Sequence, residues 1–405
     1  MRISPGLLLR RVTVGCSALA TLWAPGCAVA AAAPSPPAAQ ADSLAFTQRY
    51  AALQHGGIVR AANTSISCRT PLAPVGTPAP DPDASDAAVA RTYLAETAAT
   101  AEATDTTATR AAAPSCSTAR EGRAAANNDF DMFYVDVDDD PNTYNSSRAE
   151  VRLPEGAHVT YARLYWGGNL RVGEQKPPKD NGRVLIAEPG GQYKAVLADT
   201  VVGHRVARGA DAFQASADVT KLVRGSESGL YTVAQVNVAM GRSTPGAWGG
   251  WTLMVAYEKE SEPLRRLAMW DGFDTLGPGE DQVIRLRGLP FPKGARGRAG
   301  LVAYDGDRGQ SGDSLTVSTG ERGPTTTLGD TANPLDDVLN STISEPGPAA
   351  MARVPAYANT LGYDSDVLDL DKALRRGGDG LVFRLSSRRD AAWVGALFAA
   401  VDAKQ

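Results

Sequence analysis

The chain has 405 residues and a formal net charge of −4. That length allows two domains with cores of their own, and no Lys/Arg block supplies the basic surface that nucleic-acid binding requires. With 41 glycines, 26 prolines and few long helical patterns, the composition favours a turn-rich all-β build.

Residues 1–32 read as a signal peptide. MRISPGLLLRR is a basic n-region, VTVGCSALATLW an apolar h-region and CAVAAAA a small-residue cleavage zone. A membrane anchor is the rival reading, because residues 12–33 carry no charge, but Pro25 and Gly26 interrupt the run. Cys27 invites a lipoprotein reading that its neighbours Ala24 and Pro25 do not favour, and Arg10–Arg11 matches a twin-arginine signal in weak surroundings. No later segment offers the roughly 18 apolar residues of a membrane span. The expectation is an exported, soluble mature protein. Cys16 and Cys27 leave with the signal, so Cys68 and Cys116 remain as an even pair in an oxidising compartment, where a disulfide is expected.

Residues 33–126 read as a linker, a short strand near Gly57–Arg60 and a long Ala/Thr/Pro-rich stretch. That stretch has too little apolar surface to offset its ordering entropy and is expected to be disordered. From Asn127 the pattern turns to short strands at 8-to-12-residue spacing, as in a β-sandwich or jelly roll. AEVRLP and ARLYWGG open this series, and GRVLIAE, GLYTVAQVNV and GGWTLMVAYE continue it.

An internal repeat runs through the series. ADVTKLVRGSESGLYTVA (217–234) aligns without a gap on LDLDKALRRGGDGLVFRL (368–385), placing Asp218 on Asp369 and Lys221 on Lys372. Each copy is followed by a final strand, GWTLMVAYE or VGALFAAVD, and preceded by matching segments. The fold class expected is therefore all-β, two tandem jelly-roll-like sandwiches over 127–265 and 266–405. The joining segment LRRLAMWDGFDTLG carries Leu267, Met269, Trp270 and Phe273, too apolar for a free linker.

RAANTSISC, the Cys68/Cys116 pair, NNDFDMFYVDVDDDPNTYNSSRAEVRLPEGAHVTYARLYWGG, GGWTLMVAYE, GDRGQSGDSL and NTLGYDSDVLDL together resemble an uncharacterised module of large Gram-positive, especially actinobacterial, surface proteins. In those proteins the module precedes adhesin-like repeat domains. The likeness covers about Ala61 to Val401 and implies a cell-surface or extracellular setting. The chain departs from it in a long inter-cysteine loop and in carrying no repeat domains or wall anchor after the module.

Candidate chemistry is sparse. Asp136, Asp138, Asp140 and Asn142 have the alternating spacing of a calcium loop. Pro141 stands where such a loop needs glycine, and Ser147 where it needs glutamate. A solvated strand end followed by an Asp-Pro-Asn turn is the other reading. Asp305, Asp307 and Asp313 lie in a second acidic, Gly-rich loop, again as cation ligands or turn caps. GDSL at 312–315 spells a serine-hydrolase signature, but the only histidines are His55, His158 and His204 and the surrounding architecture is not of that class. Trp166, Trp248 and Trp270 each lie within two residues of a glycine and are candidates for stacking on sugar rings, Trp248 being the one expected at the surface; core packing is the alternative. These features point to a non-catalytic module that binds a glycan or a surface protein and needs no cofactor beyond calcium. The competing class is a carbohydrate- or amide-cleaving hydrolase with paired carboxylates between the sandwiches.

Overall fold

A computed structural model describes residues 44–69, 114–320, 323–347, 351–389 and 391–404. Residues 1–32, read above as a signal peptide, and nearly all of the Ala/Thr/Pro-rich stretch lie outside the described residues.

The first half carries β1 (Leu44–Thr64), β2 (Ile66–Cys68), β3 (Met132–Tyr134), β4 (Ser146–Val151), β5 (His158–Asn169), β6 (Arg183–Ala187), β7 (Lys194–Leu197), β8 (Thr200–Ala207), β9 (Ala210–Asp218), β10 (Gly229–Ala234) and β11 (Gly249–Glu258). Helix α1 (Cys116–Arg120) precedes β3, and α2 (Thr220–Ser226) joins β9 to β10. The second half carries β12 (Leu264–Leu276), β13 (Glu280–Phe291), β14 (Gly297–Tyr304), β15 (Ser314–Ser318), β16 (Thr325–Leu328), β17 (Ile343–Ser344), β18 (Arg353–Val354) and β19 (Tyr363–Asp369). It ends with α3 (Asp371–Leu374), β20 (Gly378–Ser387) and β21 (Ala392–Asp402).

Strand pairing shows two jelly rolls. In the first, the outermost strands pair and the pairs nest inward: β1 with β11, β4 with β10, β5 with β9, β6 with β7. In the second the same nesting joins β12 with β21, β13 with β20, β14 with β19, and β15 with β16. A hairpin ribbon rolled over on itself gives this order. The repeat read from the sequence coincides with it. Asp218 and Asp369 each end a strand, a short helix follows, and Leu230 and Leu381 lie in the matching next strand.

The halves meet differently from a linear tandem. β1 is no short peripheral strand but a 21-residue one. Its first part pairs with β12 as far as His55, opposite Leu264, and from Gly56, opposite Glu258, it pairs with β11. It is a corner strand that passes from one sheet to the other, as in orthogonal sheet packing. LRRLAMWDGFDTLG is likewise a strand, β12, and opens the second jelly roll.

Three apolar layers result. Trp251, Leu253, Val255 and Tyr257 of β11 enter the first jelly roll, with Leu164 and Trp166 of β5. Trp270, Ile284, Leu286 and Leu397 fill the second. Between them Tyr165, Trp248, Met254 and Ala256 from one half pack on Leu267, Met269, Phe273 and Trp393 from the other. Burial on both faces makes β11 and β21 continuously apolar, whereas β13 alternates Ile284 and Leu286 inward with exposed Arg285 and Arg287. The described residues form one compact unit.

Candidate ligand grooves and a buried acidic junction

The disulfide expected from the cysteine pair is present. Cys68 and Cys116 are bonded, with Cα atoms 5.8 Å apart. It fixes α1, whose Ser115 caps the Thr118 N–H at 3.3 Å, beside β2, where Arg120 reaches Ser67 Oγ at 3.1 Å.

The tryptophans are placed otherwise than a sugar-stacking surface requires. Trp166 and Trp248 are 0% exposed and Trp270 is 4% exposed. Trp166 donates to Asn181 O inside the first jelly roll. Trp248, expected at the surface, lies in the layer between the jelly rolls with Tyr304 and Trp393 at ring-centroid distances of 5.8 and 6.2 Å. Its indole N–H is satisfied by Pro245 O at 3.2 Å, so a glycine-rich flank here marks tight packing and not access. Trp248 thus belongs to the core layer between the jelly rolls and Trp270 to the core of the second one.

The Asp136–Asn142 stretch is a turn beyond β3, and it spends its oxygens on itself. Ser146 Oγ donates to Asp136, the Asp140 N–H to Asp138, and the Asn142 N–H to Asp140, at 2.7, 2.9 and 2.9 Å. Tyr193 also donates to Asp138. Hydroxyl and N–H donors hold the Asp138 carboxyl below its ordinary value even though burial works in the opposite direction. These are turn caps. Among the described residues no group of three or more His, Cys, Asp or Glu side chains is arranged to hold a metal ion.

The 305–313 acids go to a buried polar junction at one end of the second jelly roll. Asn127 Nδ2 donates to Asp305 at 3.0 Å, and the Asn127 N–H to Asp307 at 3.2 Å. Asp313 turns instead toward Asp337, with which its backbone forms an isolated bridge. Sequence reasoning missed the rest of this junction. Asp337, Asp364 and Asp366 come from the segment between β16 and β19 and from β19 itself, and only the fold brings them to the 305–313 loop. Burial pushes Asp313 up to about 6 and raises Asp337, Asp364 and Asp366. Asp136 and Asp138 of the 131–140 stretch are engaged by Ser146, the Asp140 N–H and Tyr193.

Surface concavity lies elsewhere. A groove of about 630 Å³ runs between β16 and α3, lined by Thr326, Thr327, Asp330, Asp369, Asp371 and Lys372 among others. It shares Asp369 and Asp371 with a second groove, of about 360 Å³, that contains Arg265, Arg296, Arg298 and Asp402. The carboxylates and guanidiniums alternate in exposed pairs, Arg298–Asp369 and Arg296–Asp371 both at 3.2 Å. The first jelly roll has a groove at the equivalent place, between β7 and α2, with Leu197, Asp218, Thr220, Lys221 and Arg224 in its lining. The repeat thus places a groove beside the matching short helix in each jelly roll, with Thr220 in one where Asp371 stands in the other.

Fold and grooves define the class: an all-β protein of two jelly rolls packed face to face, with polar clefts at their ends. No protein-family model and no curated protein matches the chain. Among solved structures, the major capsid protein P2 from bacteriophage PM2 aligns over 64% of this chain and 94% of that one, at 14% identity and a TM-score of 0.18. The jelly-roll assignment here rests on the strand pairing.

Proposed function

We propose that this is an exported, non-catalytic protein of the cell envelope or medium that engages a glycan or another surface protein through its end grooves. The carrying observation is the polar channel formed where two grooves share Asp369 and Asp371. Its lining of threonine hydroxyls, carboxylates, Lys372 and three arginines suits a hydroxyl-rich chain, whose groups accept from guanidinium and ammonium and donate to carboxylate. With the tryptophans in the core, recognition rests on hydrogen bonds and not on ring stacking. The export signal and the likeness to Gram-positive surface modules support the location.

The test is a glycan-array screen of the mature protein and of Asp369→Ala. An exposed pair such as Arg298–Asp369 contributes only about 0–1 kcal/mol to stability, so the variant keeps its fold. The expected result is glycan binding by the wild type that Asp369→Ala weakens. Binding unaffected by Asp369→Ala, or no glycan bound by the wild type, would count against the groove.

A further inference from the structure

We propose that the buried acidic junction is a calcium site, with Asp337 and Asp364 as its carboxylate ligands, Leu339 O as a carbonyl ligand and Asp313 alongside. Each of these three aspartates has one oxygen hydrogen-bonded and one without any partner: Asp313 Oδ1, Asp337 Oδ1 and Asp364 Oδ2. The residues are only 2%, 9% and 0% exposed. The bonded oxygens are held firmly. Asp337 Oδ2 accepts the Gly309 N–H at 3.0 Å and Asp364 Oδ1 the Thr342 N–H at 3.1 Å, while the other oxygen of each is buried without a hydrogen-bond partner.

An unpaired ionised carboxylate in such a place costs several kcal/mol, and here Asp337 acts unfavourably on both neighbours, Asp313 and Asp364. Arg308 acts favourably on Asp337, but its guanidinium is bonded to Ala358 O. A bound divalent cation would relieve the repulsion and satisfy the orphaned oxygens together. Gly306 shows how close the donors lie. A Cβ built there would be 2.4 Å from Leu339 O and 2.6 Å from Asp364 Oδ2, so a carbonyl and a carboxylate oxygen flank one point. Two carboxylates completed by carbonyls form a hard, all-oxygen set of the kind calcium takes in irregular loops.

The inference does not depend on what the grooves bind. It is tested on the mature protein by calorimetric titration with calcium chloride and by melting curves in calcium against chelator. The expected result is a saturable isotherm and a melting temperature raised by several degrees in millimolar calcium, because a ligand of the native state stabilises it by mass action. Asp337→Asn and Asp364→Asn should each abolish the shift, and Asp138→Asn, in the other acidic turn, should retain it. Absence of heat and shift in the wild type overturns the site. So does a shift that survives both junction variants or disappears in Asp138→Asn. Should one junction variant fail to fold, the other and the wild-type titration decide.

Discussion

Asp271 on β12 accepts the Nε–H of Arg49 on the adjoining β1 at 2.5 Å, and its other carboxylate oxygen lies 3.8 Å from Arg163 Nε on β5. Asp271 has no exposed side-chain surface, and burial raises its carboxyl against the opposing pull of Arg49 and Arg163. Arg163 continues to Asp199 at 2.5 Å, so a chain of charges with Asp271 and Arg163 buried at its centre ties the two jelly rolls together. Asp271→Ala should cost about 1.5–3 kcal/mol, since it removes a charge-assisted hydrogen bond to Arg49 and the carboxylate that joins Arg49 to Arg163, while Arg163 keeps Asp199. Urea unfolding of the variant measures this, and a loss under 1 kcal/mol would show that the network is dispensable.

Trp248→Ala should behave as a core truncation. It removes a fully buried ring from the layer between the jelly rolls, and such changes cost about 3–5 kcal/mol. Trp251→Ala, which empties space in the first jelly roll and leaves Ser147 Oγ without its indole donor, should cost a similar amount. Thermal unfolding should show both losses in the absence of any ligand.

Gly56→Ala tests the corner. Gly56 has φ +137°, and a Cβ there would lie 2.0 Å from Tyr257 O. Side-chain residues reach that backbone region at about 1–3 kcal/mol of strain, and the clash adds to it. The variant should unfold at lower denaturant than wild type, whereas Gly279→Ala, at φ +79° but with open space around it, should cost less.

Removing the disulfide by Cys68→Ser with Cys116→Ser should destabilise the protein by about 2–5 kcal/mol, because the bond closes a loop across a sequence separation of 48. Denaturation of the double variant gives the value. Alkylation of native, unreduced protein should label neither cysteine.

Much of the architecture was legible in local pattern. Turn residues at short intervals announced strands, the gapless match of 217–234 on 368–385 announced a duplicated fold, and two leftover cysteines announced their bond. All three signals are periodic or combinatorial and survive without knowledge of the partners. The run at Leu267–Phe273 was apolar enough to reveal its burial, though not that it is a strand paired with β1.

Placement was not legible. Tryptophans beside glycines look alike whether the glycine opens a surface or admits a close neighbour, and only the face-to-face packing of two sheets put Trp248 inside. The Asp136–Asn142 spacing matched a cation loop, yet nearby N–H and hydroxyl groups consume its oxygens. Asp313, Asp337 and Asp364, each with one buried oxygen that has no hydrogen-bond partner, come from three separate segments that only the fold of the second jelly roll brings to one junction. Strand propensity and repetition are properties of neighbours along the chain, whereas burial and charge crowding depend on which segments meet across the sheets.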